Sequence, residues 1–512
     1  MSNGCNRKAS GRCSNAVGSN TVASGTSSHA EGNKTTASGP VAHSEGFNTQ
    51  ALNSSSHAEG NTTIALGAAS HTEGFQTVAY MNTAHAEGTS TIAGGAASHA
   101  EGYLTKAMGS QSHAEGGGTA ALGTNCHAEG ANTVASGNDS HAEGDSTTAM
   151  GNASHAEGFN TMAEGQFSHA EGQLTKAIGE RSHAEGDSTT AMGNVSHAEG
   201  FNTMAKGQFS HAEGQLTKAI GERSHAEGDS TTAMGNVSHA EGFRTVAEGQ
   251  FSHAEGESTL ASGMRSHAQG DSTTASGENS FSVGQNTIAA ALNSFAGGFS
   301  TNVPSTMVGA YIMGEKGTAV YTSSFHVANG METGLSLNSI ILQGPTGNIL
   351  IDGTVIGPAA ADYAEMFESL DGKEIEPGFF VTIDGKKIRK ATSNNQYIVG
   401  VTSATPMVLG NASELRWHDL YVTDHWGRIQ YDENGNRILN PKYDPQQTYV
   451  PRRERKEWIA VGITGQLRVR DDGSSVVNGY CIPNHEGMAT SSETGFRVID
   501  RVSENIITIL KI

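Results

Sequence analysis

Little in this 512-residue chain would build a disulfide-stapled or thickly cored protein. It has four cysteines (Cys5, Cys13, Cys126 and Cys481), ten prolines and 6% aromatic residues. Thiols this few and this scattered cannot staple such a length, so free thiols are expected. No run approaches the roughly 18 apolar residues that a membrane-crossing helix needs, so membrane insertion is not expected. The polar first 18 residues hold no apolar signal segment, which sets classical export aside. Positive charge is also scarce. With 31 Lys and Arg against 52 Asp and Glu, the formal charge is −21, and nucleic acid is excluded as a partner because phosphate backbones are held by clustered bases.

Glycine and histidine are plentiful instead, at 66 and 22 residues. They fall on a 14-residue period, S-H-A-E-G-x-x-T-x-A-x-G-x-x, which runs from Ser14 until Pro304 interrupts it, 21 units without an insertion or deletion. Histidine holds the second position from His29 to His267, which uses 18 of the 22; Phe281 and Phe295 continue the register. Glutamate holds the fourth position in 17 units, and Gln269 breaks the row. The fifth-position glycine and eighth-position threonine are present in every unit, and alanine fills the tenth in all but the last, where Val303 stands. Residues 145–186, 187–228 and 229–270 are near copies of one 42-residue block. Whole blocks are gained or lost freely only in a stack whose units touch their neighbours alone.

Fourteen residues are too few for a helical repeat, and two glycines per unit oppose helix. Two short strands joined by glycine turns fit the period, so the predicted class is all-β: a parallel β-roll over 14–303, preceded by a tail, 1–13. In H-A-E, alternation puts His and Glu on one face and Ala on the other; in T-x-A-x-G it puts Thr, Ala and Gly on one face. The recurring Ala and Thr are small, so the coil interior must be narrow. At about 4.8 Å per strand, the 21 units make a rod roughly 100 Å long. So thin a rod buries little apolar surface per chain, and association of several chains would supply the rest.

These units resemble the S-V-A-x-G repeats of trimeric autotransporter adhesin heads, and similar stalks in phage tail fibres. The resemblance implies left-handed parallel β-rolls wound as a homotrimer, with His and Glu where those heads place larger aliphatics. Three readings of the resulting His and Glu ladders are open. The first is hydrogen bonding within and between chains that sets register, and the second is a metal-binding column, since His and carboxylate ligate transition metals. The third is a receptor or pH-sensing face, since histidine titrates near pH 6.5. Nothing closes a coordination shell within one chain, so no metal is expected. Rod stability is expected to change between about pH 7 and 5. An ice-binding threonine ladder is set aside because Thr pairs with an inward-looking Ala.

After Pro304 the repeat disappears. Alternating aliphatic runs at 307–313, 319–327, 335–342 and 348–356, separated by turn signals, predict a neck of β-hairpins over 304–361. From 362 to 512 all three tryptophans, most prolines and short strand patterns predict one β-rich domain with its own core. Its start reads Ala361-Asp362-Tyr363-Ala364-Glu365-Met366-Phe367-Glu368. Acids at Asp362, Glu365 and Glu368 recur every third residue, which would put them on one side of a helical turn.

This block, together with 378–388, 417–427, Asn440-Pro441-Lys442-Tyr443-Asp444-Pro445, Tyr449-Val450-Pro451-Arg452, 458–462, Val469-Arg470-Asp471-Asp472-Gly473 and Gly479-Tyr480-Cys481, closely resembles one family. It is the intramolecular chaperone auto-processing domain of phage preneck appendage and tail-spike proteins, a glutamic-type self-cleaving peptidase. The resemblance implies a domain that brings three chains into register and then cuts itself off at the Ala361–Asp362 bond, with Asp362 and Glu365 as the acting acids. Neighbouring carboxylates do not both ionise readily, so one can donate a proton while the other activates water. Glu365 is the expected base, and Asp362 the acid or positioning group. Such a cut is autocatalytic and single-turnover, in cis or within the trimer.

No cofactor is expected from the residues. Nucleotide binding has been linked to that family, but this chain lacks a Gly-Lys-Ser/Thr phosphate loop. The reading is a trimeric phage or prophage fibre or spike, a virion component or prophage product made in the host cytoplasm, which meets a host receptor or polysaccharide. The alternative is a cell- or spore-surface adhesin with the same maturation domain. A glycan depolymerase is disfavoured because no insertion in the repeats could build a catalytic pocket.

Overall fold

The computed structural model describes residues 5–330, 338–356, 361–415 and 419–512. The beginning of the aliphatic run at 335–342 and Trp417 in the 417–427 segment lie outside them. The described residues are almost entirely β, with one short 3-10 turn at Arg452–Glu454, and no helix among them is long and apolar enough to cross a membrane. The chain divides into two compact units, 1–353 and 354–512.

The first unit is a parallel β-roll. Each coil contributes one strand beginning at the His position and a second ending at the tenth-position Ala, and each strand pairs in parallel with its counterpart 14 residues on: His57 with His71, Ala58 with Thr72, Val78 with Ile92. The faces fall as the alternation predicts. Ala30, Thr35 and Ala37 are fully buried, while His29 and Glu31 face outward, half-buried. The fifth-position glycine is required twice over. Gly32 has φ +111°, and an added Cβ there would overlap the Gly46 carbonyl of the next coil.

The true left-handed corners lie elsewhere than the fifth-position glycines. They come every seven residues, at Ser27, Lys34, Val41, Asn48 and onward, and accept valine, phenylalanine and arginine alike. The first-position serine, replaced only by Ala42, Ala84 and Cys126 in the 21 units, holds one corner. Ser28 Oγ donates to Gly25 O at 2.8 Å, and the same bond recurs coil after coil. Cys126 replaces that serine, and its Sγ makes the equivalent bond to Gly123 O at 2.8 Å.

The roll extends beyond both predicted ends. Arg7–Ala9 pairs in register with Thr21–Ala23, so part of the expected tail is already a coil. The first two runs of the expected hairpin neck are also coils. Tyr311–Glu315 pairs in parallel with Phe295–Phe299, and Ser324–Asn329 pairs in parallel with Tyr311–Glu315. Two extra residues at Pro304 lengthen one coil, after which the 14-residue step returns at Phe325. Gly314, with φ +118°, again takes the fifth position. Hairpin pairing begins only at Asn338–Gln343, which is antiparallel to Ser324–Asn329 and to Ile349–Ile351.

The second unit is a ten-stranded sheet. Asp362–Ser369, Lys387–Lys390, Phe380–Asp384, Gly400–Thr402 and Trp458–Arg470 close on one another in a ring. The far half of Trp458–Arg470 continues into Ile506–Lys511, Phe496–Ser503, Tyr480–Pro483 and Ala489–Ser492. Phe380, Val401, Leu467, Val469, Ile507 and Ile509 form its core. What the sequence pattern splits into strands at 458–463 and 466–469 is one strand of 13 residues carrying a bulge.

Candidate functional site

Asp362–Ser369 is a strand, not a helical turn, because it is bound along one edge by Trp458–Arg470 from Asp362↔Gly465 to Glu368↔Trp458. Acids three apart on a strand leave opposite faces. Asp362 shares the inner face with Ala364 and Met366 and is 7% exposed, and no hydrogen bond to its carboxyl is seen among the described residues. Glu365 lies on the other face, where the Tyr363 hydroxyl donates to its Oε1 at 2.9 Å. That bond to a carboxylate pushes the Tyr363 phenol above its ordinary range. Glu368 is occupied by Lys387 Nζ at 2.8 Å, so the third acid is structural. Three strand residues span about 10 Å, so one chain does not bring the Asp362 and Glu365 carboxyls together.

The peptide units on either side of the Asp362 Cα are each held through their carbonyls. Gln466 N–H donates to the Ala361 carbonyl at 3.2 Å, and Met407 N–H donates to the Asp362 carbonyl at 3.0 Å. The bulge in the paired strand, where Tyr363 meets Thr464 but Ala364 meets Gly462, turns Gly465 (φ +108°) directly under the Ala361 oxygen. A Cβ at Gly465 would overlap that oxygen, and one at Gly462 would press on Asp362 Oδ2. A backbone N–H aimed at a carbonyl polarises it and stabilises negative charge that develops on its oxygen. Gly462, Gly465 and Gln466 were not singled out from the sequence. Their one signal there is the pair of glycines within an otherwise apolar strand pattern, which marks a bulge or a close backbone approach.

The other titratable assembly is the ladder on the roll. From His43 to His253 successive imidazoles stack 4.6–4.9 Å apart with planes within 8° of parallel. Carboxylates thread between them: Glu157 reaches His155 with one oxygen at 3.9 Å and His169 with the other at 3.7 Å. The glutamates crowd one another as well. Hydrogen bonding to flanking carboxyls pushes Glu59, Glu87 and Glu115 up to about 7, while hydrogen bonds from Glu87 hold Glu73 and Glu101 below the ordinary range. Burial, with neighbouring imidazoles adding to it, lowers His57, His85, His127 and His155.

Groups such as His99, Glu101 and His113 bring ligand atoms within 4.8 Å of one another. Stacked parallel rings nevertheless aim their in-plane lone pairs along parallel lines, so two successive imidazoles do not converge on one ion. Each ion would have one imidazole and flanking carboxylates, an open shell.

Residues 311–506 match the family described as Peptidase_G2, IMC autoproteolytic cleavage domain. The YadA head domain repeat matches the roll at 16–42, 128–154, 170–196, 219–238 and 261–301. The chain is 36% identical over 177 residues to the pre-neck appendage protein of Bacillus phage B103, covering 33% of this chain and 19% of the relative. It is 36% identical over 182 residues to that of Bacillus phage phi29, covering 34% and 20%. It thus spans about a fifth of the length of these curated relatives. Among solved structures, the C-terminal fragment of bacteriophage phi29 gene product 12 is 33% identical, over 29% of this chain and 99% of that one, with a TM-score of 0.26.

Proposed function

We propose that this chain, a YadA-head-type roll joined to an autoproteolytic cleavage domain, is a virion appendage or fibre that assembles as a homotrimer. In this reading its C-terminal unit guides assembly and then cuts the Ala361–Asp362 bond. The observation that carries the reading is the treatment of that bond: the Ala361 carbonyl lies over Gly465 and accepts the Gln466 N–H, beside the buried Asp362 carboxyl. Polarising the carbonyl prepares its carbon for water, and the Gln466 amide takes up the charge that grows on its oxygen.

Glu365 serves as the base that removes the proton from water, and Asp362 as the acid or positioning group beside the leaving amine. Because Glu365 faces away from Asp362 on its own strand, its carboxylate serves the site of a neighbouring protomer, which makes cleavage conditional on assembly. Identical coils can pair one rung out of register at nearly equal energy, so a guiding domain that leaves only after correct assembly locks the register.

The test is the intact mass of the full chain with time. A fragment ending at Ala361 and its complement starting at Asp362 are expected, and both should vanish in Glu365→Gln. Mixing Glu365→Gln with Asp362→Asn chains should restore partial cleavage, because each supplies what the other lacks. A full-length mass that persists in an assembled trimer would overturn the reading.

A further inference from the structure

A stacked sheet that ends leaves a row of backbone groups in need of partners. In the ordinary coil the amides at the eleventh and twelfth positions both donate to the tenth-position carbonyl of the next coil. Ser136 N–H and Gly137 N–H reach Ala149 O at 2.8 and 3.3 Å, and Met192 N–H and Gly193 N–H reach Ala205 O at 2.8 and 3.2 Å.

In the coil that begins at Tyr311, Val320 and Tyr321 hold those two positions, and what their amides reach is a side chain. Val320 N–H donates to Nε2 of His326 at 3.2 Å, and Tyr321 N–H donates to the same atom at 3.3 Å. One imidazole nitrogen stands where a backbone carbonyl stands in every coil named above. The adjacent carbonyl is finished in the same manner, since Asn338 Nδ2 donates to Thr318 O at 3.0 Å.

Whereas the 18 ladder histidines face outward, His326 takes the inward third position, where Ala296 and Ile312 stand in the two coils before it, and it is fully buried. Its Nδ1 lies 3.1 Å from the Tyr311 carbonyl. A carbonyl only accepts and an amide only donates, so the hydrogen is on Nδ1 and Nε2 is bare. These contacts require the neutral ring. Ile312 stands beside it from the coil beneath and Ile341 from the hairpin, while the Tyr321 ring lies nearly parallel to it with centroids 6.4 Å apart. The charged groups of its own coil, Glu315 and Lys316, pair with each other at an exposed corner. Burial lowers His326, against the opposing pull of the Tyr311 and Ser324 carbonyls, and no charged side chain adds to either effect among the described residues.

We propose that His326 is a pH-released cap on the end of the roll. Neutral, it closes the sheet edge by standing in for the carbonyl of a further coil. Protonated on Nε2, it meets two amides that can no longer donate to it, and the Val320–Tyr321 corner opens. The contribution of the cap is therefore full above the ordinary imidazole range near 6.5 and is lost as pH falls. Opening bares a sheet edge with which another strand can pair, so the roll ends bluntly at neutral pH and open-ended in acid.

The experiment is hydrogen exchange read by mass spectrometry on the full chain at about pH 7.5 and about pH 5, with the intrinsic effect of pH on exchange divided out. Protection in peptides covering 318–323 should fall by about tenfold between the two. Peptides covering 190–195, the same positions in a middle coil, should change by less than about twofold, because their amides are held by a carbonyl and contacts in a stack are local. In His326→Gln, whose side-chain carbonyl accepts at every pH, the fall at 318–323 should disappear. In His326→Leu, which has no acceptor, 318–323 should exchange fast at both pH values. Equal protection of 318–323 at the two pH values in the unaltered chain, a fall shared in full by 190–195, or a fall that persists in His326→Gln overturns the cap.

Discussion

In the roll the largest interior side chain that recurs is threonine; in the C-terminal unit Phe380, Leu467, Ile507 and Ile509 fill the interior. The roll's strands are two to six residues long and pair in parallel at a 14-residue offset, save for the 16-residue coil at Pro304. The C-terminal unit runs from strands of three residues to one of 13, mostly antiparallel, with bulges at three places in two pairings. Backbone stacking gives the roll regularity but no unique register, because every coil fits every other. Side-chain packing gives the C-terminal unit one arrangement, and its irregularities, above all the bulge at Gly465, are where chemistry can be built. A chain that joins the two gains length from one and uniqueness from the other.

The sharpest way to break this contrast is to replace one glycine in each unit. Gly465→Ala places a methyl against the Ala361 oxygen, and self-cleavage should slow by more than about 100-fold, the scale on which loss of an oxyanion donor is felt. Intact mass follows the reaction, and tryptophan fluorescence checks that the domain still folds. Unchanged cleavage would remove Gln466 and Gly465 from the site. Gly186→Ala, at φ +104° against the Gly200 carbonyl, should lower roll stability by about 2–4 kcal/mol. Hydrogen exchange should rise only in neighbouring coils, since contacts in a stack are local. Exchange that rises along the whole roll would contradict that locality.

A smaller effect separates the units by pH. Glu87 is pushed up to about 7 by its hydrogen bonds to Glu73 and Glu101. Its folded form therefore binds a proton more tightly than the unfolded chain does, and its contribution to stability is full below about 4.5 and lost as pH rises through 7. The histidines lowered by burial act in the opposite sense: their contribution is full above about 6.5 and lost as pH falls. Glu87→Gln keeps the hydrogen-bond donor at every pH. It should raise the melting temperature of the roll by about 1–2 °C at pH 8 and leave it unchanged at pH 4.5. An equal rise at both pH values would mean that Glu87 titrates normally.

The roll was legible in the sequence because its period repeats 21 times and assigns every position a face. Its ends were not legible, because Arg7–Ala9 and Tyr311–Glu315 keep the backbone geometry without the His and Glu letters. In the C-terminal unit, spacing alone misplaced Asp362, Glu365 and Glu368. Their three-residue step looks helical, and only the distant partner strand at Trp458–Arg470 decides that the segment is extended. The bond at Ala361 could be singled out by resemblance. The elements that grip it, the Gln466 amide and the bulge, are backbone features with no side-chain signature.

The interior of the roll offers the smallest and cleanest test of how much the repeat depends on its backbone. In the common coil the eighth-position threonine hydroxyl, as in Thr105, is buried without a partner. Where serine replaces the third-position alanine, the hydroxyls meet: Ser44 with Thr49 at 2.8 Å, and Ser282 with Thr287 at 2.7 Å. Both serines fit the lumen without disturbing the parallel register, whereas Thr72 at the same position leaves its hydroxyl and that of Thr77 without a partner among the described residues. Ala100→Ser should therefore bond Thr105 and stabilise the roll by about 1 kcal/mol, the net worth of one hydrogen bond, read as a rise of roughly 2 °C in melting temperature. A fall instead would mean that the lumen at an ordinary coil is too tight for one more oxygen. The alanine column would then be set by volume, as in a side-chain core, and the two units would differ less than their folds suggest.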